Sequence, residues 1–392
     1  MKRVFFLLLI GLTLSVNSQQ KFTLSGSIFE SNGKETLIGA NIIIADLMTG
    51  TISNEYGFYS ITLAKGTYEI SVSNIGYSNL KQTITLDQNI SMDFTLTEVI
   101  ESLDEVIIES NVEALNIKSP QMSVNSLTAS SIKQIPVVFG EADVIKAITL
   151  LPGVSSGGEG AAGFNVRGGA ADQNLILLDE ATIFNSSHLF GLFSVFNPDA
   201  IKSLKLYKGG VPAKYGGRVA SVLDIYQKEG NKNEFKANGG IGLVASRLLL
   251  EGPLKKGVGS FLLGGRATYA HLFLPLFDVN NIAYFYDLNT KLSYKLNQKN
   301  SIYLSGYFGR DVFNVSNSFE NTYGNTVVNF RWNHLFNDKL FSNLSLIYSD
   351  YYYGLNLNFV GFEWNSGIQN MNIKYDFKQY VNDRYKLEYG LH

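Results

Sequence analysis

The chain is 392 residues long, with 32 Lys and Arg against 34 Asp and Glu, a formal net charge of -2 and no cysteine. That balance leaves no basic surplus to neutralise a phosphate backbone and argues against nucleic acid as a partner; the missing cysteine excludes disulfide staples, thiolate metal sites and thiol nucleophiles. Only 17% of residues are charged and glycine reaches 37 against 7 prolines, a mixture that suits turn-rich β structure more than an ordinary soluble domain, where roughly 25% are charged.

At the N-terminus Lys2 and Arg3 precede an apolar run over residues 4–14, followed by Val16, Asn17 and Ser18. This is the pattern of a secretory signal peptide, assigned to residues 1–18. The run is too short to cross a bilayer as a helix, and no later apolar stretch approaches the ~18 residues that a membrane helix needs. An exported chain of this kind is soluble, surface-attached or embedded as a barrel.

Residues 21–97 carry short alternating segments between turn signals, around 22–26, 40–45, 59–63, 67–72 and 90–96, with turns at Gly33, Gly50, Gly57, Gly66 and Gly76. The spacing predicts a small β-sandwich. Leu37-Ile-Gly-Ala-Asn41, Asn54-Glu-Tyr-Gly-Phe-Tyr59 and Gly66-Thr-Tyr-Glu-Ile70 resemble the carboxypeptidase regulatory-like domain, a likeness that implies a fold and not proteolysis.

Residues 98–125 read as a linker with one strand-forming segment whose apolar heart is Val106, Ile107 and Ile108. Residues 126–230 read as a compact α/β domain. Ala142, Ile145, Ile148 and Thr149 predict a helix within 130–152, stopped by Pro152-Gly153. Strands are expected around 163–167, 174–179, 203–208 and 219–226, punctuated by glycine pairs.

Aromatic residues concentrate in the remainder, 19 falling in residues 1–230 and 31 in residues 231–392. Leu288, Thr290, Leu292, Tyr294 and Leu296 alternate with Asn289, Lys291, Ser293 and Lys295; Met371, Ile373, Tyr375 and Phe377 alternate with Asn372, Lys374, Asp376 and Lys378. A soluble sandwich shows the same period, so the connections decide. Short ones at 255–258, 297–300, 337–339 and 381–383 alternate with long ones at 271–283, 311–325 and 351–368, the asymmetry of an outer-membrane barrel. About nine strands are expected, near 235–244, 246–253, 259–270, 284–296, 301–310, 326–336, 340–350, 369–380 and 384–391. Bacterial barrels have even strand counts, and only around twenty-two strands leave a lumen that holds a plug. Residues 231–392 are therefore expected to be the first part of a longer barrel.

Leu151-Pro-Gly-Val154, Phe164-Asn-Val-Arg-Gly-Gly169, Leu175-Ile-Leu-Leu-Asp-Glu180, Phe196-Asn-Pro-Asp-Ala-Ile201, Tyr207-Lys-Gly-Gly210 and Tyr215-Gly-Gly-Arg-Val-Ala-Ser221 are similar to the plug of TonB-dependent receptors. With the flanking regions they resemble the Bacteroidota-type receptors. The plug-motif residues singled out are Arg167, Gly168, Gly169, Asp179, Gly209, Gly210, Gly216, Gly217 and Arg218. Of these, Arg167, Asp179 and Arg218 are candidates for ion pairs that hold plug to barrel wall. In the linker, Leu103, Asp104, Glu105, Val106, Ile107 and Ile108 are similar to a TonB box, whose physics is strand addition to a periplasmic partner.

Other motifs carry little. Gly158-Glu-Gly-Ala-Ala-Gly163 matches G-x-G-x-x-G but follows a helix and leads into a strand, the reverse of a dinucleotide site. His188, His271, His334 and His392 lack metal-site spacing and read as structural or loop residues. No catalytic, cofactor-binding or metal residue is assigned, and no cofactor is expected. The fold class is mainly β: an N-terminal β-sandwich, an α/β plug and a partial transmembrane antiparallel β-barrel. The resemblance implies a TonB-dependent transporter of the Gram-negative outer membrane. Its partners would be TonB, lipid, a scarce ligand (siderophore, cobalamin, oligosaccharide or peptide) and in some systems a surface lipoprotein. The alternatives are a secreted β-rich adhesion protein, in which the aromatic stripes would be core, and a TonB-dependent signalling receptor.

Overall fold

The computed structural model describes residues 20–33, 35–99, 123–135, 141–158, 163–242, 244–273, 281–315, 318–382 and 385–392. The signal peptide and the TonB-box-like residues 103–108 lie outside them.

The first body is a sandwich of two four-stranded sheets. In one, Lys21–Glu30 is flanked by Phe58–Ala64 and by the short strands Ile90–Ser91 and Phe94–Leu96; the other runs Thr49–Ile52, Asn41–Ile44, Gly66–Ser73, Leu80–Leu86. Leu24, Ile28, Ile42, Ile44, Tyr59, Ile70 and Phe94 interdigitate between them. Strands Thr49–Ile52 and Leu80–Leu86 are additions to the sequence reading; mostly polar, solvent-facing edge strands have little apolar signal.

The second body is built on a five-stranded sheet ordered Ala181–Thr182, Asn174–Leu178, Ser221–Gln227, Ile201–Tyr207, Val124–Thr128. In place of one helix over 130–152 there are, among the described residues, two short ones, Ala129–Lys133 and Val144–Thr149. Pro136 follows Ile135 in the sequence, and a residue before proline is disfavoured in the helical region. Asp143 starts the second helix by accepting a bond from the Lys146 amide at 2.9 Å, an N-cap worth about 1 kcal/mol.

The third body is a nine-stranded antiparallel meander in strict sequence order, from Lys236–Ile241 to Lys386–Leu391. Its polarity is inverted. Leu292, Leu304, Phe330, Leu346 and Ile373 are direct cross-strand partners in one continuous row, and all are exposed, from 37% to 68%. The adjoining row, Ser293, Tyr303, Arg331, Ser345 and Lys374, points the other way and is buried. A sandwich would bury the first row and expose the second. An apolar exterior around a polar interior is the arrangement of a barrel wall in lipid, where every strand must also find its ladder partner.

Two expected external loops are strand instead. Asn300–Val315 and Phe319–Asn337 stay in register up to Val315 opposite Phe319, and Leu340–Leu357 with Phe362–Tyr380 up to Leu357 opposite Phe362. The alternation fades there because beyond lipid the outward face need not be apolar, while the backbone ladder continues.

Leu292→Arg should lower the stability of the barrel in lipid vesicles by about 2–4 kcal/mol, the cost of arginine on the lipid face near the midplane. Urea titration of the refolded protein measures it, with the exposed sandwich substitution Glu69→Arg as the near-neutral control.

Candidate functional site: the plug against the barrel wall

The core of the second body is continuous with the barrel. Ile176, Leu178, Ile183, Val195 and Phe196 share one cluster with Tyr307, Val327 and Ile347 of the wall. Around this contact the inward charges of the wall meet plug groups at two stations.

At the first, Arg266 of the wall is fully buried. Its Nε and Nη2 donate to Asp287 Oδ2 at 2.9 and 2.5 Å, its Nη1 to plug Glu141 Oε1 at 3.1 Å and its Nη2 to the Ser194 carbonyl at 2.9 Å. Plug His188 lies between two wall carboxylates, Nδ1 2.6 Å from Asp311 Oδ2 and Nε2 3.3 Å from Asp287 Oδ2. Its ring stacks on Phe285 at 4.1 Å, and Tyr307 Oη is 3.1 Å from Nε2. Burial alone would lower the imidazole pKa; Asp311 and Asp287 outweigh it and raise it. An imidazolium there leaves two cations facing three carboxylates, a better balance than one cation.

The second station is a two-residue hairpin. Leu178 pairs with Ala181, so Asp179 and Glu180 form the turn, with φ of 46° and 73°. Both are left-handed, as a type I′ turn requires, and neither is glycine, a strain on the order of 1–3 kcal/mol each that persists only where the surroundings over-determine it. They do: Asp179 Oδ2 is 2.8 Å from Lys291 Nζ of the wall, its Oδ1 accepts from the Gln227 amide at 3.1 Å, and its carbonyl accepts from Asn329 Nδ2 at 2.5 Å. Glu180 accepts from Asn343 Nδ2 at 3.1 Å and from Ser345 Oγ. Burial would raise the Glu180 pKa; nearby Lys374 and Arg331, with the bonds from Ser345 and Tyr56, hold it below the usual carboxylate range.

The other plug-motif residues lie elsewhere. Arg167 is exposed at φ 51° and donates from Nη2 to Ser123 Oγ at 3.0 Å; exposed Arg218 donates to the Gly217 carbonyl. Neither is brought to the barrel wall. Gly209 packs beside Arg167 and Ser123, where any Cβ would sit 3.0 Å from the guanidinium, and Gly169 leaves 2.5 Å between such a Cβ and that of Ala220. Gly168, Gly210 and Gly217 have positive φ, and Gly216 has open space around it. Arg167 and Gly209 thus meet at Ser123, near the C-terminal end of the linker 98–125. From the sequence, His188 reads as a structural or loop residue and Lys291 only as part of a polar strand face; neither these two nor Arg266 and Asp287 are assigned to a site. For the wall residues the available signal was a charged side chain on the polar parity of a strand whose other face is apolar.

With this geometry in place, the comparisons with known proteins agree. Residues 24–108 match the carboxypeptidase regulatory-like domain family and residues 116–222 the TonB-dependent receptor plug domain family. The TonB-dependent receptor SusC of Bacteroides thetaiotaomicron is 28% identical over 251 residues, covering 59% of this chain and 24% of that protein. A TonB-dependent receptor of Formosa agariphila is 26% identical over 235 residues, covering 58% and 22%. Among solved structures, the siderophore receptor PirA of Acinetobacter baumannii superposes with a TM-score of 0.52 at 16% identity, covering 70% of this chain and 47% of that one. The FrpB iron transporter of Neisseria meningitidis gives 0.51 at 14%, covering 69% and 48%. The chain spans about a quarter of the length of those curated relatives and about half that of the solved structures.

A plug seated in a polar-lined partial barrel, behind a regulatory-like sandwich, is the architecture of the plugged outer-membrane barrels. The two domain matches and these relatives support a TonB-dependent receptor of the Bacteroidota type, a class of Gram-negative outer-membrane proteins.

Lys291→Met strands the Asp179 carboxylate in the interface and should weaken plug docking by about 3–5 kcal/mol. The urea concentration at which the full-length receptor first conducts ions in a planar bilayer reads this. For His188, whose folded pKa lies above the ordinary value near 6.5, the docking contribution is complete below about pH 6.5 and is lost as pH rises through the folded value. The difference in that urea threshold between wild type and His188→Gln should therefore shrink on going from pH 6 to about pH 9; a difference independent of pH would assign His188 a packing role only.

Proposed function

We propose that the protein is a TonB-dependent outer-membrane transporter rather than an enzyme. The plug occludes the barrel, the extracellular hairpins capture a scarce ligand, and force on the linker segment 103–108 remodels the plug to open a path. The ligand would be a siderophore, cobalamin, oligosaccharide or peptide. The observation that carries the reading is the seating of plug charges on the inward charges of a wall whose outer face is apolar. Such an interface is specific, yet both of its halves are polar enough to be rehydrated on separation, as inter-domain contacts that move tend to be.

The partner would be periplasmic TonB, pairing by strand addition with Leu103, Asp104, Glu105, Val106, Ile107 and Ile108; a surface lipoprotein is a further partner in this reading. The plug residues Arg167, Gly168, Gly169, Gly209 and Gly210 would shape the place where the pull enters, since Arg167 and Gly209 flank Ser123. Ser123 itself is left-handed at φ 61°, and its carbonyl accepts from the Lys208 amide at 3.0 Å. Gly216, Gly217 and Arg218 would form an adjoining turn. Asp179 would be the charge that returns the plug to Lys291.

Deleting residues 103–108 from the full-length receptor should abolish energised uptake of a radiolabelled ligand pool while leaving cell-surface binding of the same pool intact. Unchanged uptake would remove the segment from the mechanism.

A further inference from the structure

Two loops of the N-terminal sandwich reach into the junction of plug and barrel, and the residues they present there are charged or hydroxyl-bearing and largely buried. The first loop is rigid: Asn54 Oδ1 accepts from the amides of Tyr56 and Phe58, both at 2.9 Å. It holds Glu55 between two ammonium groups from different bodies. Lys214 of the plug lies 2.8 Å from Oε1, and Lys378 of the barrel bonds Oε2. Beside it Tyr56 Oη donates to Glu180 Oε1 at 2.6 Å. The Tyr56 ring stacks on Phe341 of the wall at 5.2 Å and lies 4.9 Å from the Arg331 guanidinium. In the second loop Thr36 Oγ1 donates to Glu229 Oε1 at 2.8 Å, and Glu35 pairs with plug Lys202 at 3.3 Å.

The sandwich therefore completes the site already described. Glu180, in the strained turn of the plug, takes its donors from the barrel and from Tyr56. Lys214 and Lys378 are drawn to one carboxylate that neither the plug nor the barrel supplies. Lys378 keeps a longer contact with Glu388, at 3.5 Å, but without Glu55 the two ammonium groups face each other across the interface with their shared counter-charge gone. In a buried setting that converts an attraction between plug and wall into a repulsion.

We propose that the regulatory-like sandwich is a periplasmic latch on the plug: seated, its Glu55 and Tyr56 bind Lys214 and Glu180 of the plug to the wall, and its withdrawal turns the Lys214–Lys378 contact repulsive and primes the plug to leave. Residues 103–108 lie between the sandwich and the plug in the chain, so force on that segment bears on both. The inference extends the transporter reading, and its test needs neither ligand nor TonB.

The full-length receptor is reconstituted in planar bilayers and its ion conductance recorded at a fixed urea concentration just below the wild-type opening threshold. Glu55→Gln should raise the open fraction on the order of a hundredfold, the scale of stranding buried charge. Adding Lys378→Met to Glu55→Gln should bring it back toward wild type, because one of the two repelling cations is gone. Wild-type conductance in Glu55→Gln, or a double variant that opens more than the single one, overturns the latch and leaves the sandwich a passive attachment. Heat-shifted gel mobility establishes that each barrel has folded. Should Glu55→Gln not fold, Tyr56→Phe, which removes only the hydroxyl on Glu180, is scored instead: a raised open fraction supports the latch and an unchanged one overturns it. Neither outcome depends on uptake, so the latch and the transporter reading fail separately.

Discussion

Lipid against one side of a single layer of strands dictates where every charge of the barrel wall can go. With no second layer to shield it, the outer face must be hydrocarbon, as the row from Leu292 to Ile373 is, and charge has only the inner face to occupy. Once the plug covers that face, each inward charge loses its water. An isolated buried ion costs several kcal/mol, so the wall's ions need partners on whatever fills the lumen. Arg266 finds Glu141, Lys291 finds Asp179, Asp287 and Asp311 share His188, and Arg331 lies over Tyr56. Plug docking is in this sense a product of the membrane.

The same pairing limits how tightly the plug is held. Buried ion pairs gain little over well-packed apolar groups, because Coulomb attraction is offset by desolvation. Their strength lies in specificity, and their halves are soluble when parted. Tyr307, Val327 and Ile347 are the wall's members of the shared apolar cluster, so separating plug from wall uncovers little hydrocarbon at that contact. A wholly apolar interface of similar extent would resist opening and would invite aggregation once opened.

Much of this was legible in the sequence. Period-two alternation over 288–296 and 371–378 placed both faces of the wall, and the glycine-punctuated motifs from 151 to 221 placed the plug. What escaped reading did so for physical reasons. A helix pattern across Pro136 looked continuous because apolar spacing does not register a lost amide. The hairpin arms looked like loops because their alternation is not apolar against polar: in 311–325 the buried positions Asp311, Asn321 and Asn325 are themselves polar, and residues 358–369 are exposed on both faces. The residues of this interface are scattered from Glu55 to Lys378, and each is an ordinary charge until the fold brings the sandwich loop, the Asp179–Glu180 turn and four wall strands together. Asp179 stood out as an acid ending an apolar strand; Lys291 opposite it did not.

The strands Phe319–Asn337 and Phe362–Tyr380 are 19 residues each. At about 3.4 Å per residue and a tilt near 40° such strands rise roughly 50 Å, against an apolar band of about 25 Å. Half of each therefore stands clear of the bilayer as a chimney, stiffened by its own ladder. The plug still reads that upper half in Phe319–Asn337, where Tyr323 accepts from the Phe190 amide and Asn325 donates to the Asn185 carbonyl, whereas residues 362–369 are exposed on both faces. Sequence is free to drift in the second strand while the first is pinned, and a wall built this way can vary part of its rim without relearning how to sit in its membrane.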